Sequence, residues 1–132
     1  MADIIKHNEP EDLADLPDHP IPALEGLDLM SVMEEGGAEL MIVIADPIDE
    51  SEFSQKRLVV KLENYFSFIN SEPFIQQVGV SPTIENTKVT VKIHPNSSGV
   101  YSTLISNCTA WANENNCSIE LKILNEYEMA TE

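Results

Sequence analysis

Glu39 to Ala45, ELMIVIA, is a near-continuous apolar run bounded by Glu34-Glu35-Gly36-Gly37 before it and Asp46-Pro47 after it. It is far short of the roughly 20 residues that cross a bilayer, so it reads as a buried strand, covered on at least one face and central in a sheet. Such a strand needs neighbours on both edges and helices over it.

One neighbour precedes it. Leu27, Leu29 and, with a shift, Val32 and Met33 begin a strand pattern, and the Gly-Gly pair supplies the positive-φ residues of a hairpin turn. After Asp46-Pro47, the acids Asp49, Glu50 and Glu52 with a capping Ser51 open a helix to about Asn70. Leu58, Leu62, Tyr65, Phe66 and Ile69 form its apolar stripe, with Lys56, Lys61, Glu63 and Asn64 opposite. Glu72-Pro73 ends it, and Phe74 to Pro82 reads as an irregular connection. Thr87 to Ile93, TKVTVKI, alternates strictly and is the cleanest strand pattern of the chain. A second helix carries Tyr101, Leu104, Ile105, Cys108, Trp111 and Ala112 and ends near Asn115-Asn116, and Ser118 to Leu124 is the last strand.

The expected fold is therefore α+β in the order ββαβαβ: a two-layer sandwich of a four-stranded sheet with two helices on one face, the placement that right-handed crossovers give. Residues 26–125 form the single domain. Residues 1–25, with four of the eight prolines and seven acids, form an extended acidic arm, and residues 126–132 form an acidic tail.

The charge is unevenly placed. Of 16 net negative charges, 14 fall in the first 52 residues, where 15 acids face Lys6 alone. A field of this sign repels nucleic acid and anionic lipid and suits a basic protein surface. The N-terminus has acids where a secretory signal would have bases, which leaves the cytoplasm as the expected location. Cys108 and Cys117 lack a CxxC spacing and read as two reduced, partly buried small hydrophobes.

No catalytic or cofactor motif accompanies this charge, so no cofactor is expected. Asp46, Asp49, Glu50 and Glu52 are four carboxylates in seven residues, the best candidates for a hard cation, yet they match no calcium loop and already have a role at a helix N-terminus. His7, His19 and His94 lack the spacing that presents two imidazoles to one metal. Ser97-Ser98-Gly99 lacks the lysine of a phosphate loop and reads as a cap. The candidate partner-binding residues are Glu34, Glu35, Asp49 and Glu50, with Phe53 and Phe68 as aromatics off the main helical stripe.

From about Leu40 to Leu124, the succession ELMIVIADPIDESEF, RLVVKLENYFSFINSE and KVTVKI with a closing helix and strand resembles a small bacterial family of uncharacterised α+β domains. Its sharpest piece is Leu62 to Ser71. The resemblance implies a fold and no catalytic residue, and the Pro-rich arm departs from it.

Two classes of function fit. The first is a non-enzymatic binding module, in particular an immunity-type or antitoxin-type inhibitor that covers a basic partner with its acidic half. The second is a small metal-dependent enzyme or accessory factor using Asp46 to Glu52, which requires those carboxylates to converge on a pocket. A homodimer through a sheet edge, Thr87 to Ile93 or Ser118 to Leu124, is compatible with either.

Overall fold

The computed structural model describes residues 15–125, in which four strands and four helical segments alternate. They are β1 (Leu29–Val32), β2 (Ala38–Ile44), α1 (Glu52–Ile69), α2 (Glu72–Val78), β3 (Thr87–Ile93), α3 (Val100–Asn107), α4 (Thr109–Glu114) and β4 (Ser118–Ile123). The fold is α+β with a four-stranded sheet in the order β1-β2-β3-β4. The hairpin makes β1 antiparallel to β2, while the helical connections make β2, β3 and β4 parallel, so the sheet is mixed.

Alternation along the strands decides which face is covered. In β2, Ala38, Leu40, Ile42 and Ile44 are fully buried, and the register sets Leu40 beside Val89, Ile42 beside Val91 and Ile44 beside Ile93. Glu39, Met41 and Val43 point the other way and are only partly covered. On that second face Glu39 accepts a hydrogen bond from Thr90 (2.7 Å), and Lys88 pairs with Glu120 (2.9 Å). β2 is thus the interior apolar strand that its composition demands.

The first helix begins where the acids are. Ser51 is its N-cap and its hydroxyl accepts from the Ser54 amide, satisfying one of the free donors of the first turn. Ser51→Ala is expected to lower stability by about 1 kcal/mol, read as a shifted urea midpoint with unchanged slope. An unchanged midpoint would show that water replaces the hydroxyl without loss.

The helices number four, against the two expected. Phe74 to Pro82 is not an irregular connection: Ser71 caps a new helix by accepting from the Phe74 amide, Pro73 sits in the first turn, where its missing donor costs nothing, and Gly79 closes the helix at φ +93°. Pro73 thus follows the expected end of α1 and also opens α2. The last expected helix is divided at Cys108, whose amide bonds back three residues to Ile105, while the Thr109 hydroxyl donates to the Ser106 carbonyl and competes with the regular ladder.

From Asp15 onward the arm lies on the domain, with Ile21 and Leu24 in the same core as the sheet and α1. The arm before Asp15 and the tail from residue 126 lie outside the described residues. Lys61, expected on the outer side of α1, is buried, because the arm covers that side and accepts from its amine. Both cysteines are free and buried, and burial pushes the Cys117 thiol up to about 12.

Candidate functional site

Two ends of the molecule held candidate residues, and the structure treats them differently. At the C-terminal ends of β2 and β3, Asp46, Asp49, Glu50 and Glu52 are all exposed. Asp49 accepts from the Ser51 amide (3.1 Å) and hydroxyl (2.7 Å), and these bonds hold its carboxyl below the usual range. The Glu50 carbonyl accepts from Gln55. Among the described residues, no group of three or more His, Cys, Asp or Glu is placed to hold a metal ion.

Topology offers these acids no crevice among the described residues. Parallel sheets open a ligand crevice where the strand order reverses, and here the order runs in one direction. The loops beyond β2 and β3 are also tied together. Ser97 accepts from the Ile48 amide (3.1 Å), the Ser98 amide donates to the Ile48 carbonyl (3.0 Å), and the Tyr101 hydroxyl donates to the Asp49 carbonyl (2.6 Å). The serines read as a cap therefore staple one loop to the next.

A polar network binds the arm to α1. Arg57 is fully buried, and its Nε and Nη2 both donate to the Ile21 carbonyl (3.0 and 2.6 Å). One turn on, Lys61 Nζ donates to the Ala23 carbonyl (2.8 Å) and pairs with Asp28 (3.1 Å), and Asn64 donates to the Leu24 carbonyl. Asp28 also accepts from the Val43 amide, and the Tyr65 hydroxyl accepts from the Asp28 amide while donating to the Met41 carbonyl. These side chains satisfy the edge of β2 beyond the reach of short β1.

His19 contributes to the same clamp. Its Nδ1 accepts from the Ile21 amide (2.8 Å), which requires the unprotonated nitrogen, and its Nε2 lies 2.9 Å from the Ser54 hydroxyl. Desolvation, followed by the nearby Arg57 charge, lowers its pKa below 6.5. Because the folded value is the lower one, the unfolded chain binds more protons. The stability due to His19 is fully present above pH 6.5 and is lost as pH falls through the folded value. Amides of residues 16–24 are expected to lose hydrogen-exchange protection between pH 7 and 5, and His19→Gln should flatten that dependence. An equal pH response in both proteins would assign it to other groups.

The other end presents an apolar edge. Among the described residues, β1 pairs on one side only, with β2. Of eight large hydrophobic residues exposed among the described residues, four lie within Leu27 to Met33: Leu27 at 37%, Leu29 at 53%, Val32 at 46% and Met33 at 37%. No charged residue interrupts Leu29 to Met33, whereas the opposite edge, β4, carries Glu120 and Lys122. Glu34 and Glu35 are exposed in the hairpin turn at one end of β1, and Glu25 is exposed before the other. At that second end a cleft of about 240 Å³ opens, lined by Gly26, Leu27, Asn64, Tyr65 and Phe68.

The expected partner-binding residues therefore separate. Glu34, Glu35 and Phe68 gather around β1, while Asp49, Glu50 and Phe53 lie at the far end of α1. Phe68 is half-buried against Phe74, their rings edge to face at 5.5 Å, and Phe53 packs on His19 at 5.5 Å. Fifteen helical residues separate the two phenylalanines by about 22 Å along the axis, so they form no common patch. Thr87 to Ile93 is an interior strand and offers no edge for dimerisation; the edges are β1 and β4. Sequence reasoning missed Leu27, Leu29, Val32 and Met33 as surface residues. Their only signal was four large apolar residues within seven positions, on and beside a strand too short to be central.

No helix among the described residues is long and apolar enough to cross a membrane. No protein-family model, curated protein or solved structure matches the chain. The reading of function accordingly rests on the geometry alone.

Proposed function

We propose that this chain is a non-enzymatic protein-binding module whose partner is a basic protein, acting in the manner of immunity-type or antitoxin-type inhibitors. The observation that carries it is the exposed apolar edge strand β1 with acids at both ends. An uncharged edge that no described residue pairs is a liability that folded proteins ordinarily blunt with charge or proline, and keeping one suits a surface meant for a partner. The acidic field would bring a basic partner in and set its register, and the apolar strand would hold it.

The metal-dependent alternative needs converging carboxylates, and the exposed, locally bonded arrangement of Asp46 to Glu52 offers it no support. In the reading preferred here, both crossovers lie over the buried face, since β2, β3 and β4 advance in one direction and right-handed connections then fall on the same side. The second face and the β1 edge are left for contact.

Capture from native lysate with the full chain, at low and moderate salt, is the test. The expected result is one basic protein retained at moderate salt, whose own activity falls when the purified chain is added. Capture of nothing under either condition, or of a partner indifferent to the chain, overturns the inhibitor reading.

A further inference from the structure

We infer that β1 takes an extended peptide segment of its partner as a fifth strand of the sheet, and that this segment alternates apolar residues and is flanked by Lys or Arg. The inference rests on the binding-module reading above and specifies how that module would recognise its ligand.

Three features of the edge point to this ligand. Among the described residues, Leu29–Val32 use only the β2 side for pairing, so strand addition has main-chain groups to meet. Alternate side chains of an added strand fall on one face, and the cleft of Gly26, Leu27, Asn64, Tyr65 and Phe68 at the N-terminal end of β1 is open to an apolar side chain. Between Glu25 and Glu39 the chain holds five acids and no base. Asp28 is already neutralised by Lys61, which leaves Glu25 at one end of the strand and Glu34 and Glu35 at the other to meet cations.

The same charges argue against a second copy as the occupant. A two-fold antiparallel pairing centred between Met30 and Ser31 brings the turn that carries Glu34 and Glu35 of each chain toward the Glu25 end of the other's β1. Like charges placed across a strand pair destabilise it. A basic flank on the added strand converts the same positions into attraction, and one that weakens with salt.

The test uses the full chain and a fluorescein-labelled nonapeptide, three valines alternating with two threonines between lysine pairs. Fluorescence anisotropy should show saturable binding at low salt. Glutamate in place of the lysines, or N-methylation of the five central amides, should each weaken it at least tenfold, and Glu34→Gln with Glu35→Gln should weaken it severalfold. Hydrogen exchange should show new protection in residues 29–32. Equal binding of the N-methylated peptide, or protection confined to β4, would overturn strand addition while leaving a charge-driven binding module intact. No binding of the parent peptide, or a free chain already dimeric through β1, would overturn it as well. Failure of the module itself would show separately, as an empty capture from lysate.

Discussion

Gly37→Ala is expected to destabilise the protein by about 3 to 5 kcal/mol, combining strain at a positive φ with overpacking against a rigid neighbour. Gly37 sits at φ +112°, and a Cβ built there would lie 2.1 Å from the Asn86 carbonyl oxygen. That oxygen cannot retreat freely, because it accepts from the Ala38 amide (2.9 Å), the bond that starts the β2–β3 pairing. The substitution therefore strikes the hairpin and the parallel ladder together. Urea denaturation should show the loss as a lower midpoint, with Gly26→Ala as the control. Gly26 has φ +85° but nothing within 4 Å of its Cβ position, so its cost is conformational only. Equal losses at the two sites would mean that backbone strain alone decides and that the approach to Asn86 is unimportant.

The second large effect is expected at Arg57. Arg57→Met keeps the apolar stem but removes both donors to the Ile21 carbonyl, leaving that acceptor buried. The unsatisfied acceptor and lost charge-assisted bonds outweigh the relief of no longer burying a cation, for a net loss of about 2 to 4 kcal/mol. Its location should be diagnostic. Amides of residues 16–24 should exchange faster, while those of β2 and β3 keep their protection, because the arm is held by side chains of α1 and not by strand pairing. Uniform acceleration across the sheet would show instead that the arm and the sheet open as one unit.

Much of the fold was legible because its signals are local. The alternation of TKVTVKI, the apolar run of ELMIVIA, the Gly-Gly turn and the Ser51 cap each name an element within a few residues of its observed bounds. Ser71, Pro73 and Gly79 carried an equally local signal for α2, but proline was read as a terminator, although it is also favoured in a helix's first turn. What was not legible depends on contacts across the chain. Lys61 looks like a solvent-facing residue until the arm is laid over it, and Phe68 acquires its place only when Phe74 folds back. The β1 edge is the clearest case: strand character was visible in the residues, but edge position belongs to the order of strands, which no single segment encodes. The acids at the start of α1 were legible as a helix N-terminus, and Ser51 and Glu52 stand there as cap and first-turn residue.

The coincidence of chain order with spatial order has a kinetic consequence. Every strand is laid beside the one made just before it, so none has to be threaded between two already paired, and each loop closed is as short as its helical connection allows. Such a chain can grow its sheet outward from the hairpin in a single direction, finishing at β4. The two parallel pairings join residues 49 apart (Ala38 with Thr87) and 30 apart (Lys88 with Ser118), so closing those loops, and not forming the hairpin, sets the pace of folding.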